Sequence, residues 1–203
     1  MLVYYLREQL MPKSVPPRFL LTLWPVADRF LRAIHRTRPV RADDTGIIRF
    51  SLRQYRGLNR LLKDGSEVKA GDTIVELHLN NHWFKRRRNL NLNASQSPRE
   101  FLGCFGHDLR TLAQQISGGA FGDVAALHGI TLLHIAARRL GFQVDELPDS
   151  LWKKGARFYM AGLMQVYHLR GDDASGLGEK SWEPKEIWLS RGALLGRYGP
   201  IRE

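Results

Sequence analysis

The sequence is poor in cysteine: Cys104 is the single one among its 203 residues. One thiol excludes an intramolecular disulfide and a zinc site made of several cysteines. Long apolar runs are also missing, because residues 19–31, the most apolar stretch near the start, are interrupted by Pro25 and two charged residues. That stretch is shorter than the roughly 20 residues of a membrane-spanning helix, and no small-residue cleavage site follows it. We therefore expect a soluble, cytoplasmic protein without a membrane span.

Acidic residues are fewer than basic ones, 20 against 31, which leaves a formal net charge of +11. Residues 1–60 hold 12 basic and 4 acidic side chains, and four basic residues follow one another at Lys85–Arg88, next to Trp83. Such charge favours acidic partners. One interpretation is therefore binding of nucleic acid or another anionic polymer, although no known nucleic-acid-binding motif is present. The other is a solvated basic surface.

Apolar periodicity predicts a basic arm followed by one layered domain. In residues 1–41, apolar side chains recur every three to four residues, as in an amphipathic helix, between prolines at both ends. In residues 42–203, strands alternate with helices, which predicts an α/β (α+β) fold with a small mixed sheet packed with several helices. The predicted strands are 46–55, 73–81, 142–147 and 186–189, and the predicted helices are 98–117, 123–140, one from about 149, and one reaching Tyr198 from a Ser190 cap, with a loop at 170–182.

The predicted strand 73–81 has the most distinctive polar pattern of the chain. A period of two places Glu76, His78 and Asn80 on one face and apolar residues on the other. A carboxylate and an amide beside an imidazole can fix its tautomer, so that it acts as an acid, a base or a hydrogen-bonding anchor. Asn81 extends this set at the end of the strand. Trp83 follows as an aromatic ring on which a sugar could stack.

Other constellations of reactive residues have weaker support. Cys104 and His78 could form a nucleophile–base pair, but Cys104 falls inside a predicted helix near its apolar side, which favours a core position. His128 and His134 are six residues apart on a predicted helix and so point about 240° away from each other. His134 could join Glu76 and His78 in a zinc set, but no metal-binding spacing supports it. We expect no metal and no cofactor.

Several short segments together form the pattern of a known family. The most specific is Gly-Asp-Thr-Ile-Val-Glu-Leu-His-Leu-Asn-Asn at residues 71–81. The supporting segments are 126–134, 139–142, 167–168 and 186–191. This pattern, spread over about residues 45–198, resembles the YkoP-like family, a domain of sporulating bacteria that occurs alone or after polysaccharide deacetylase domains.

The resemblance implies a domain that works with amino-sugar polymers, such as chitin-type or peptidoglycan-type glycans, with a polysaccharide deacetylase as a partner. Carried over by position, the residues that would line its site are Glu76, His78, Asn80, Asn81 and His134. The family supplies no catalytic mechanism. We therefore expect non-catalytic glycan binding in a cleft at residues 76–81, walled by the two following helices. The alternative is a hydrolase or deacetylase-like enzyme with His78 as general base and Glu76 orienting it.

Overall fold

The structure is a computed structural model, and it describes residues 36–83, 86, 98–147 and 183–200. Its strands are β1 (Arg38–Pro39), β2 (Ile48–Gln54), β3 (Arg60–Leu61), β4 (Glu67–Val68), β5 (Thr73–Leu79), β6 (Val124–Thr131), β7 (Gln143–Glu146) and β8 (Lys185–Ser190). Its helices are α1 (Pro98–Ser117), α2 (His134–Arg139) and α3 (Arg191–Tyr198), and residues 81–83 and 86 are helical as well.

Six of the strands form one mixed sheet in the order β1-β2-β5-β6-β8-β7, and β3 and β4 form a separate hairpin. β5 and β6 run parallel, whereas the other neighbouring strands of the large sheet are antiparallel. The connection between two parallel strands must cross the sheet, and here it includes α1.

One face of the six-stranded sheet is covered by α1 and α3 and carries the main hydrophobic core. The helices bring apolar side chains onto alternate residues of the central strands. Helix α3 begins where the sequence predicts, since the Ser190 hydroxyl accepts a hydrogen bond from the amide of Ala193. Buried residues of this core include Phe50, Val75, Leu77, Phe105, Leu109, Leu112, Ile116, Leu127, Leu189 and Leu194.

A carboxyl group is buried in this helix-covered face. Asp108 of α1 accepts a hydrogen bond from the backbone N–H of Ile48 at 2.9 Å, and its other oxygen has no hydrogen-bond partner among the described residues. Gly46 makes room for the group, because a Cβ there would lie 2.6 Å from a carboxylate oxygen. Burial raises the pKa of Asp108 above its ordinary value.

The opposite face of the sheet is covered in part by the β3–β4 hairpin. Two apolar side chains of the hairpin, Leu62 and Val68, form a smaller core with residues of β5, β6 and β8. The hydroxyl of Ser190 donates to Asp64 at the tip of the hairpin, and the backbone N–H of Lys63 donates to the Gln143 side chain at 2.9 Å. The sheet residues of this smaller core are Ile74, Ala126 and Trp188. The hairpin therefore lies over the end of the face where β5 and β6 begin.

The predicted α/β (α+β) class, with a mixed sheet packed with helices, is confirmed. The predicted strands correspond to β2, β5, β7 and β8, but the predicted helix 123–140 is wrong. Residues 124–131 form β6, and residues 134–139 form the short helix α2. β-branched residues are frequent in 124–131, and the strand lies between β5 and β8, which satisfy its backbone hydrogen bonds on both sides. Tertiary pairing thus overrides a helical spacing.

Parts of the prediction concern residues that the structure does not describe. Residues 1–35 of the predicted arm, the helix from about 149 and the loop 170–182 lie outside the described residues. Within residues 36–41, β1 pairs with β2 and Val40 is buried in the main core. The sheet therefore begins inside the segment predicted as the arm. None of the described helices combines the length and the apolar character that crossing a bilayer requires.

Candidate functional site

Glu76 and His78 lie side by side on the face of the sheet that carries the hairpin. Side chains alternate along a strand, so these two residues of β5 point the same way. Their side chains are about one-quarter exposed, 26% and 27%. Ser51 of β2 lies opposite Glu76 in the antiparallel register, and Arg53 of the same strand faces the same side. The two strands therefore bring four polar side chains together.

We call these four residues the β2–β5 polar cluster: Ser51, Arg53, Glu76 and His78. Arg53 Nε donates to Glu76 Oε2 at 3.1 Å, and the Ser51 hydroxyl donates to the same oxygen at 3.2 Å. His78 Nε2 lies 3.4 Å from Ser51 Oγ and 3.5 Å from Glu76 Oε2. One carboxylate oxygen is thus the centre of the cluster.

This geometry differs from that of a nucleophilic triad. In a triad the hydroxyl and the carboxylate contact opposite nitrogens of the imidazole, so that one orients the ring while the other loses its proton. Here Ser51 and Glu76 both approach Nε2 of His78. The three groups can hold one another and present hydrogen-bonding atoms, but they are not arranged to activate the serine.

A second group of polar side chains lies beside the first on the same face. We call it the β6–β8 polar cluster: Arg60, His128, Asp145 and Glu186. His128 Nε2 lies 3.0 Å from Glu186 Oε1, while Arg60 donates to Glu186 Oε2 at 2.7 Å and to Asp145 Oδ2 at 2.8 Å. His128 is also the neighbour of Glu76 across the parallel β5–β6 pair. The two clusters are therefore adjacent.

The β6–β8 polar cluster rests on the ring of Trp188, which is buried. The His128 ring packs against it at a tilt of 35°, with centroids 4.2 Å apart, and the Arg60 guanidinium lies 5.0 Å from its centroid. Burial alone would raise the pKa of Glu186. The hydrogen bond and charge of His128 and the charge of Arg60 instead hold that pKa below its ordinary value. The carboxylate is thus stabilised in its charged form.

A comparison with family models shows a match to the YkoP domain over residues 17–198, nearly the whole chain. The chain belongs to the YkoP domain family. The matched region includes both polar clusters, and it begins within the segment predicted as the N-terminal arm. A search of the curated proteins and a search of the solved structures each returned no match.

In this YkoP domain the other polar residues predicted near the end of β5 serve the fold. Asn80 is fully buried, and its Nδ2 donates to Gly46 O at 2.9 Å and to Asp44 Oδ1 at 3.1 Å. Asn81 is also buried. Trp83 lies in the main core on the helix-covered face, at 9% exposure. The structure therefore does not place its ring beside Glu76 and His78, where a sugar could stack.

His134 lies at the start of α2 and is buried. Burial and the charges of Lys185 and Arg138 lower its pKa. These charges place it near the start of β8, whereas the β2–β5 polar cluster lies on β2 and β5. No three His, Cys, Asp or Glu side chains come together as metal ligands within the described parts of the YkoP domain.

The remaining candidates have structural positions where they are described. Cys104 is half-buried and packs against the main core. Of the basic run at 85–88, the structure describes Arg86, which donates from Nη2 to the backbone oxygen of Asp44 at 2.5 Å. Helix α1 covers the apolar face of the sheet and the predicted second helix is mainly β6, so these segments do not wall a cleft at Glu76 and His78.

The β6–β8 polar cluster is the part of this surface that the sequence analysis missed. Its histidine fell in the segment predicted as a helix, where it could not be related to Glu76. A usable signal was the alternation of Glu186, Trp188 and Ser190 in the predicted strand 186–189 and its cap, which puts the three on one face. For Ser51 and Arg53, the polar face of the predicted strand 46–55 was the signal.

Proposed function

We propose that this YkoP domain is a non-catalytic module that binds amino-sugar oligosaccharides through the β2–β5 polar cluster. The observation that carries the proposal is the grouping of a carboxylate, an imidazole and a guanidinium, all partly exposed, around the buried hydroxyl of Ser51 on one sheet face. Sugar hydroxyl and acetamido groups both donate and accept hydrogen bonds, and this set offers donors and acceptors within a few ångströms. The family resemblance implies the same class of ligand.

The cluster is also organised in advance of binding. Each side chain is held by at least one of the others, at distances of 3.1–3.5 Å. Side chains that are already ordered lose less conformational entropy when a ligand arrives, which favours affinity. Because Trp83 is buried, the proposal rests on polar contacts rather than on aromatic stacking.

The position of the imidazole favours binding over a hydrolysis that uses Ser51 as nucleophile. Ser51 and Glu76 share Nε2 of His78, which is an arrangement for mutual support rather than for proton transfer through the ring.

The family resemblance would also place this module beside a polysaccharide deacetylase, a partnership that co-purification would test.

The test is isothermal titration of the full chain with N-acetylglucosamine oligomers at low and high salt, followed by mass spectrometry of the sugars. We expect saturable binding that changes little with salt and leaves the sugars intact. His78→Ala should weaken binding about tenfold, because a hydrogen bond of this kind contributes about 1 kcal/mol or more. The matched control is His107→Ala, an exposed histidine of α1, which should bind like the wild-type protein.

Each other result points to a different function. Shortened or deacetylated sugars would support the enzyme, with His78→Ala losing turnover while keeping affinity. Affinity for nucleic acid that falls steeply with salt, together with no affinity for sugars, would support binding of an anionic polymer. If His78→Ala and His107→Ala weaken binding equally, the sugar does not bind at the β2–β5 polar cluster.

A further inference from the structure

We propose that the ligand-binding surface continues from the β2–β5 polar cluster across the sheet onto the β6–β8 polar cluster. The YkoP domain then binds a linear oligomer that crosses the strands. This inference rests on the proposed function and adds the shape and direction of the ligand. It also assigns binding roles to Glu186 and Asp145.

The registers of the sheet place the two clusters in one strip. Glu76 is paired with His128 across β5 and β6, Ile130 of β6 with Glu186 of β8, and Glu186 with Asp145 of β7. Neighbouring strands are about 4.8 Å apart, so the strip from β5 to β7 spans roughly 14 Å. That length is greater than one sugar ring and suits several linked rings.

The direction of the strip follows from where the hairpin lies. Leu62 and Val68 bury Ile74, Ala126 and Trp188, which closes the face toward the beginning of β5 and β6. A ligand that ran along the strands would meet this cover. A ligand that crosses them passes over side chains that remain partly exposed. Arg60, on the edge of the hairpin, forms the border.

The side chains of the β6–β8 polar cluster are held by one another and are still partly exposed to a ligand. The side chains of Glu186 and His128 are 14% and 15% exposed, and those of Asp145 and Arg60 are 26% and 29% exposed. Arg60 and His128 hold the Glu186 carboxylate in place from two sides. A carboxylate oxygen has more than one lone pair, so a sugar hydroxyl can donate to an oxygen that already accepts one bond.

Ile130 adds an apolar surface within the strip. It is half-buried, follows His128 on the same face of β6 and is paired with Glu186 of β8. The apolar C–H face of a sugar ring can pack on Ile130, whereas the rings of Trp83 and Trp188 are buried and do not offer such a contact. The strip thus alternates hydrogen-bonding groups with one apolar residue, as a chain of hydroxylated rings requires.

The test measures affinity against oligomer length, from the disaccharide to the hexasaccharide of N-acetylglucosamine, for three variants. Glu186→Gln and Asp145→Asn should each weaken hexasaccharide binding about tenfold, because a hydrogen bond to a charged acceptor is lost. Both should leave disaccharide binding within about twofold of wild type, because a short ligand is held by the β2–β5 polar cluster. Asp123→Asn is the matched control, since Asp123 is 93% exposed and precedes β6 at its hairpin-covered end.

Thermal unfolding by circular dichroism checks that each variant is folded. If Glu186→Gln fails to fold, Asp145→Asn still tests the inference, because it leaves the contacts between Glu186, His128 and Arg60 intact. The inference is overturned if affinity does not increase with length, or if each variant weakens both ligands equally or neither of them. In those cases the disaccharide still binds and the proposed function stands. If the wild-type chain binds no oligomer at all, the proposed function and this inference both fail.

Discussion

The two faces of the six-stranded sheet are built in different ways. The helix-covered face buries a large apolar core between β2, β5, β6, β8 and the helices α1 and α3. The other face has a small apolar core under the hairpin, and its remaining part carries charged and polar side chains that contact one another. Apolar burial is the dominant source of stability. The comparison indicates that one face holds the fold together, while the other carries the polar groups on which the proposed function rests.

Each face contains a carboxyl group that is largely or fully buried, and the pKa values of the two shift in opposite directions. Asp108 on the helix-covered face has one oxygen that accepts no hydrogen bond from the described residues, and burial raises its pKa. On the other face, His128 and Arg60 hold the pKa of Glu186 low. Burial disfavours the charged form in both, and only Glu186 has charged partners beside it that outweigh this.

The largest effect should come from removing a side chain on the helix-covered face. Leu109→Ala empties a fully buried position of α1. We expect the free energy of unfolding to fall by about 2–5 kcal/mol, measured by urea denaturation. Leu61→Ala is the matched control, because Leu61 is 71% exposed on β3, and it should change stability by less than about 0.5 kcal/mol. Equal losses in the two variants would contradict the assignment of stability to the helix-covered face.

A smaller effect should come from the ion pairs of the other face. Arg60→Met removes the contacts of the hairpin with Asp145 and Glu186 and leaves two carboxylates without their cation. Because Arg60 is partly exposed, we expect a loss of about 1–2 kcal/mol in urea denaturation. Arg191→Met, which removes an exposed pair with Asp123, should cost about 0–1 kcal/mol. The comparison between the faces would be wrong if Arg60→Met cost as much as Leu109→Ala.

The smallest effect is the pH dependence that separates the two carboxyl groups. The pKa of Glu186 is lower in the folded than in the unfolded protein, where it is about 4.3. Glu186 therefore stabilises the fold at pH values above about 4.3, and this contribution is lost as the pH falls through the lowered pKa. The raised pKa of Asp108 has the reverse sign, so its contribution falls as the pH rises from about 3.9 through the raised pKa.

Urea denaturation between about pH 3 and pH 7 measures both contributions. The stability difference between wild type and Glu186→Gln should narrow as the pH falls. In contrast, the stability of Asp108→Asn relative to the wild-type protein should increase as the pH rises. Trends of the same sign in the two variants would show that the carboxyl groups do not differ as the structure indicates.

Local sequence was sufficient to predict those strands and helices whose side-chain pattern agrees with their surroundings in the fold. The alternation in residues 73–81 predicted a strand with Glu76 and His78 on one face, and the structure has a strand at Thr73–Leu79 with both side chains there. The serine cap of α3 was also visible, because the capping hydrogen bond is made within four residues. The helical spacing in 123–140 misled the prediction, since the same residues fit a strand once β5 and β8 flank them.

Long-range contacts decided which polar residues belong to the candidate site. Asn80 follows Glu76 and His78 in the sequence pattern, but its side chain holds the loop at Asp44 and Gly46. Conversely, Glu186 and His128 are far apart in the chain and meet because β6 and β8 pair. A pattern within one strand cannot show either outcome.

The sequence by itself determined the class of fold, the main strands and the pairing of Glu76 with His78 on one face, because those depend on side-chain period and on caps within a few residues. Only the tertiary structure decided that Trp83 belongs to the core, that His128 lies beside Glu76, and that Arg60 joins Asp145 to Glu186. These depend on strand order and register, which are set by the packing of the whole sheet rather than by neighbours in the chain.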